Sequence, residues 1–155
     1  MKIEQRIKEL GIELPSAAKP GALYVPVKRL GTGLYVSGHI PSQNGEPVYT
    51  GKVGAERSLE YAQEAARLCV INILATLKSY TGNLDRIKGV VKLLAFVSSE
   101  AGFAHQHLVI NAASQLLIDI FGEEEGAHAR SAIGTNQLPL DVTVEIEGIF
   151  ELREL

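Results

Sequence analysis

Residues 128–152, HARSAIGTNQLPLDVTVEIEGIFEL, contain two runs in which apolar and polar side chains alternate. Alternation with a period of two marks strands with one face on a core. The runs HARSAIGT and DVTVEIEGIFEL are joined by a connector in which Leu138 and Pro139 interrupt any continuous helix or central strand. The simplest reading is a C-terminal antiparallel hairpin.

On the second run Val142, Val144, Ile146, Phe150 and Leu152 form an apolar face, and Glu145 and Glu147 point away from it. On the first, Arg130, Ala132 and Gly134 share one side, and Ser131, Ile133 and Thr135 the other. Folding back about Gln137–Leu140 sets Arg130 opposite Glu145 or Glu147. One reading is a cross-strand ion pair on a wet sheet face, contributing roughly 0.2–1 kcal/mol. The other is a guanidinium that binds a small carboxylate through its planar fork of donors, while Glu145 handles a proton or a water.

Upstream, residues 103–121 place Leu108, Ala112, Leu116 and Ile120 on one side of a helix, and residues 87–98 supply a largely apolar strand. A longer helix is predicted over 55–80, with Leu59, Ala62, Ala66, Cys69, Ile73 and Leu77 on one face and Val70 and Leu74 widening it. Residues 42–54 hold enough Gly, Pro and Asn to be a loop. Strands are predicted over 23–30 and 34–40, with Gly31 and Gly33 marking the turn. Ile3, Ile7 and Leu10 suit a short amphipathic helix closed at Gly11. The order strand, strand, helix, strand, helix, strand, strand predicts an α+β fold, a mixed or antiparallel sheet with both helices on one face. No internal repeat divides residues 1–155, which form a single domain.

A chain of 155 residues with 46% hydrophobic and 21% charged residues can bury a core without staples. The net charge of −3 supplies no basic field for nucleic acid. The single cysteine, Cys69, excludes an internal disulfide and sits in the apolar run LCVINIL, as a core thiol does. The charged amino terminus has no apolar signal core, and no apolar run approaches the roughly 20 residues of a membrane span, so a cytoplasmic protein with no membrane partner is expected. His105 and His107 stand two apart on a helix and cannot chelate one ion together, and Glu123, Glu124 and Glu125 are a solvated cap rather than converging ligands. No metal and no cofactor are expected. The glycines at 31–33 lack the full GxGxxG pattern, and Ser37 in VSGH lacks the nucleophile elbow.

The string R-S-A-I-x(4)-L-P-x(4)-V-E-I, Arg130 to Ile146, resembles the C-terminal signature of the RidA family, also called the YjgF/YER057c/UK114 family. Leu34–Pro41, LYVSGHIP, is similar to that family's strand ending in Ser-Gly-x-Ile-Pro, and residues 21–27, GALYVPV, more weakly to its Gly-Pro-Tyr-Ser-Gln stretch. The likeness covers about residues 17–153, so residues 1–16 stand as an N-terminal extension with a short helix.

That resemblance implies a chorismate-mutase-like fold, a homotrimer with clefts between subunits, and hydrolysis of reactive 2-imino and 2-amino-enoic acids to 2-oxo acids and ammonia. It implies Arg130 and Glu145 as catalytic residues: Arg130 grips the substrate carboxylate and Glu145 orients or deprotonates water. Tyr24, Ser37, Gly38 and Ala132 would bind substrate, the first two from the adjacent subunit. Ala132 stands where the family usually has cysteine, and either His107 or Asn111 stands for a family asparagine. A non-catalytic trimeric carboxylate-binding or sensor protein using the same cleft is the alternative, and a ribonuclease or chaperone activity is a third.

Overall fold

The computed structural model describes residues 2–20 and 22–154. Gly21, the first residue of the GALYVPV segment, lies outside the described residues. Among these residues seven strands and four α-helices follow in the order α1 (Ile3–Glu9), β1 (Val27–Leu30), β2 (Gly33–His39), β3 (Ser42–Gln43), β4 (Glu46–Pro47), α2 (Leu59–Thr81), β5 (Ile87–Ser98), α3 (Gln106–Phe121), α4 (Glu123–Gly126), β6 (Ala129–Thr135) and β7 (Val144–Leu152). Five strands form one mixed sheet in the order β1-β2-β7-β5-β6. The α+β class and the two long helices on one face are as expected.

The C-terminal hairpin is not formed. β7 pairs antiparallel with both β2 and β5, while β6 pairs parallel with β5 at the edge. β7 takes the centre, and β5 lies between it and the edge strand β6, apolar on both sides: Leu93, Ala95 and Val97 are fully buried beneath the helices, and Leu94 and Phe96 lie on the opposite face. α3 then returns the chain parallel to β5, as a crossover helix does. The connector 136–143 steps over the end of β5, through a 3-10 turn in which Leu140 and Asp141 adopt φ of 59° and 57°. A hairpin loop joins neighbours in two to five residues; this longer path spans two strand spacings, about 10 Å.

Register partners in adjacent strands point to the same face, so the pairing separates the two predicted catalytic residues. Arg130 pairs with Leu93 and Ala132 with Ala95, on the helix side, whereas Glu145 pairs with Phe96 and Glu147 with Leu94, on the open side. Arg130 does not stand opposite Glu145 or Glu147 within one chain.

α2 starts at Ser58, whose hydroxyl accepts from Tyr61 N, and ends at Gly82 with φ of 79°. Its buried face includes Ala62, Ala66, Cys69, Val70, Ile73, Leu74 and Leu77, the predicted stripe. α3 is rotated relative to its prediction: it buries Val109, Ile110, Ala113, Leu116, Leu117 and Ile120, and leaves Leu108 and Ala112 at the margin. Residues 42–47, read as loop, close a small hairpin on Asn44-Gly45 with φ of 51° and 81°, the dipeptide that two-residue turns favour. α1 buries Ile3 and Ile7 against the core, and its Glu4 accepts from Leu84 N and Lys78 Nζ.

Candidate functional site

Arg130 sits on the edge strand with its guanidinium against α3. Nη1 donates to Ser114 Oγ at 2.9 Å, and Nη2 donates to Asn111 Oδ1 at 2.7 Å and to the His107 carbonyl at 3.1 Å. Residues 107, 111 and 114 are four and three apart, so one helix face meets one guanidinium. Burial presses the guanidinium's pKa down. None of these partners is charged, and among the described residues Arg130 takes part in no ion pair. Nε–H has no acceptor among the described residues.

Of the two residues left open at the sequence level, Asn111 offers its side chain and His107 only its main-chain carbonyl. Ser114 was missed. The signal for it was polar residues at 107, 111 and 114 along an otherwise apolar helix, whose meaning needed the crossover to β6. Ala132 follows two residues along the same face of β6, partly buried against the core.

The other predicted residues gather on the open face near β2. The register between β2 and β7 slips by one residue between Val36 and His39, a bulge that breaks the alternation. It lets His39 turn beneath the sheet, where Nδ1–H donates to Ser37 O at 2.6 Å and Nε2 accepts from Thr76 Oγ1 at 2.7 Å. Burial lowers the His39 pKa, so this ring is a neutral structural pin. Ser37 Oγ donates to Val25 O at 2.7 Å and so ties β2 to the loop carrying the half-exposed Tyr24. Gly38 lies against Glu145: a methyl added there would stand 3.0 Å from the carboxyl carbon and Oε1. Burial, and then the charge of Glu147 two residues along the same face, raise the Glu145 pKa above the usual carboxylate value.

Beside them a depression of about 280 Å³ is lined by Lys28, Tyr35, Ser37, Lys92 and Glu147 among others. A larger hollow of about 470 Å³, between α1 and the end of α3, holds none of the predicted site residues. Cys69 is fully buried with its thiol toward Val144 O, and burial pushes its pKa well up, as for an inert core thiol. No group of three or more His, Cys, Asp or Glu among the described residues converges as metal ligands.

The structure therefore brings together Ser37, Gly38 and Glu145 as one set, with Tyr24 on the adjoining loop, and Arg130, Ala132, Asn111 and Ser114 as another. The sets lie on opposite faces of the sheet.

A profile of the family described as "YjgF/chorismate mutase-like, putative endoribonuclease" matches residues 4–151, and the chain belongs to this family. Protein TCP17 of Trypanosoma cruzi is 40% identical over 152 residues, covering 98% of this chain and 95% of its own length. The crystal structure of Atu1372 from Agrobacterium tumefaciens, a protein of unknown function, is 47% identical, covers 97% of this chain and 92% of its own, and superposes with a TM-score of 0.88. TdcF of E. coli, solved with bound serine, is 27% identical with a TM-score of 0.56, covering 90% of this chain and 93% of its own. No described helix is long and apolar enough to cross a membrane.

Proposed function

We propose that this protein hydrolyses reactive 2-imino and 2-amino-enoic acids to 2-oxo acids and ammonia, at sites that pair Arg130 of one chain with Glu145 of another. The observation that carries the reading is Arg130 itself: a fixed positive charge at a sheet edge, surrounded by neutral acceptors and lacking a carboxylate of its own. Removing a guanidinium partly from water without a counter-ion is unfavourable, and a small anion offsets that.

Because Arg130 and Glu145 face opposite sides of one sheet, a second copy must supply one of them. The open face suits such contact, since Tyr35 and Ile133 expose about half their surface there, at 46% and 45%. The homotrimer that the resemblance implies would cover this face and form a cleft at each junction.

In that cleft the substrate carboxylate rests on the Arg130 guanidinium, with Nε–H free to donate. An imine carbon is already electrophilic, so the protein has only to hold it and place a water. Glu145, its basicity raised, takes a proton from that water as the C–O bond forms, and returns it to the nitrogen. The carbinolamine then collapses: Glu145 takes the proton of its hydroxyl and passes it to the amine nitrogen, the C=O bond forms as the C–N bond breaks, and ammonia leaves the 2-oxo acid behind. Ser37 Oγ spends its proton on Val25 O, so toward the cleft it presents lone pairs that accept from an imine N–H. Tyr24 closes the wall, Gly38 leaves room beside Glu145, and the small Ala132 keeps space near Arg130. No cofactor enters these steps, and the free, buried thiol of Cys69 accords with a cytoplasmic address.

The test is turnover of freshly generated 2-iminopropanoate. Arg130→Ala should abolish it and leave assembly unchanged; equal rates in parent and variant would end the proposal. The serine held by TdcF favours a second reading, a binding or sensor protein using the same cleft. That reading predicts carboxylate-dependent thermal stabilisation lost with Arg130, and no turnover. RNA cleavage, suggested by the family description, has against it the net charge of −3.

A further inference from the structure

Behind Arg130 the hydrogen bonds continue. Ser114 Oγ, the acceptor for Nη1, lies 2.9 Å from His128 Nε2, and His128 Nδ1 lies 2.7 Å from the Gly126 carbonyl. A carbonyl only accepts, so Nδ1 carries the imidazole proton and the neutral ring has a bare Nε2. Nε2 therefore accepts from the Ser114 hydroxyl, and that hydroxyl turns its lone pairs to Arg130. The donors run in one sense, from guanidinium to hydroxyl to imidazole to main chain.

The far end of this chain is closely packed. Gly126 is buried so closely on α3 that an added methyl would stand 2.7 Å from Ile118 Cα and 2.8 Å from Leu117 O. Its amide donates to Gly122 O at 2.8 Å, which holds α4 as a single closed turn. The carbonyl is thus fixed by backbone packing, and with it the imidazole tautomer.

We propose that Ser114 and His128 are positioning residues that set the plane of the Arg130 guanidinium, and through it the affinity for the substrate's carboxylate. Neither touches the substrate. Left without His128, the Ser114 hydroxyl is free to rotate its hydrogen toward the cation, and Nη1 loses its acceptor. The inference rests on the reading of Arg130 as the anion-binding group, and two measurements separate the failure of one from the failure of the other.

The first needs no ligand. Hindered rotation of the Arg130 guanidinium, read by 15N NMR as slow exchange between Nη1 and Nη2, should become fast in Ser114→Ala and His128→Leu. It should stay slow in His128→Gln, whose amide oxygen restores an acceptor near Nε2. The second is the affinity for 2-oxobutanoate by calorimetry, together with KM and kcat for 2-iminopropanoate. Ser114→Ala and His128→Leu should each weaken binding and raise KM about tenfold, the loss of one charge-assisted hydrogen bond, with kcat nearly unchanged. The double variant should be no worse than either single one, because both act through one chain.

Unchanged exchange and affinity in the single variants, or additive losses in the double, would overturn the positioning role while leaving Arg130 in place. If the parent and Arg130→Ala bind 2-oxobutanoate equally, the anion-site reading falls, and the affinity role of Ser114 and His128 falls with it.

Discussion

At the scale of single residues, the site turns on two groups whose surroundings push them away from their ordinary behaviour. Burial first, and then Glu147, raise the Glu145 pKa, so the folded chain binds that proton more tightly than the unfolded one. Stability from this source is present at low pH and is lost as pH rises from about 4.3, the ordinary glutamate value, through the raised folded value. Glu145→Gln should therefore raise the melting temperature at pH 7, and the gain should vanish below the ordinary value; thermal melts across pH check it. In the proposed mechanism turnover needs the ionised carboxylate, so its acid limb should lie above the ordinary value. Glu147→Gln should move that limb down, as pH–rate profiles would show. Gly38→Ala puts a methyl 3.0 Å from the Glu145 carboxyl, and should depress kcat with little change in stability.

Much of this was legible in the residues. Strand alternation assigned Arg130 and Glu145 to their faces relative to their own neighbours, and the resemblance gave them roles. Which side of the sheet each face became was not legible, because alternation is blind to the strand inserted between two others. Ser114 was hidden, and the choice between His107 and Asn111 stayed open, for the same reason: a polar stripe on a helix has no address until the edge strand beneath it is known.

Among the elements, the helices and the interior strand β5 were drawn close to their observed bounds, since long apolar periodicity leaves few alternatives. The errors fell at α3 and β6. α3 serves two surfaces, a core facing the sheet and a polar line facing Arg130, and a stripe chosen for hydrophobicity alone misjudged its rotation. β6 was taken as the partner of β7 because they are adjacent in sequence, whereas the crossover through α3 puts it beside β5. α1 has a structural part: with Ile7 only 3% exposed, Ile7→Ala should cost about 2–5 kcal/mol in denaturant unfolding and leave KM unchanged. A large change in KM would instead tie α1 to the site.

For the whole molecule the decisive feature is a sheet covered on one side. The uncovered side carries Tyr35, Leu94, Phe96, Ile133 and Ile149 together with Glu145, an apolar surface with the proposed base set in it. Ile133→Glu should dissociate the proposed trimer in sedimentation experiments and abolish the proposed turnover, although Arg130 and Glu145 are intact. A monomeric variant with full activity would show that one chain suffices.

Subunit complementation tests the shared site most directly. Arg130→Ala and Glu145→Gln chains, each inactive alone, are mixed, unfolded and refolded together. A site built by two copies regains about one quarter of the parental turnover, the statistical share of junctions that receive both intact groups. Refolded mixed assemblies with no turnover, alongside an active parent treated in the same way, would contradict the account.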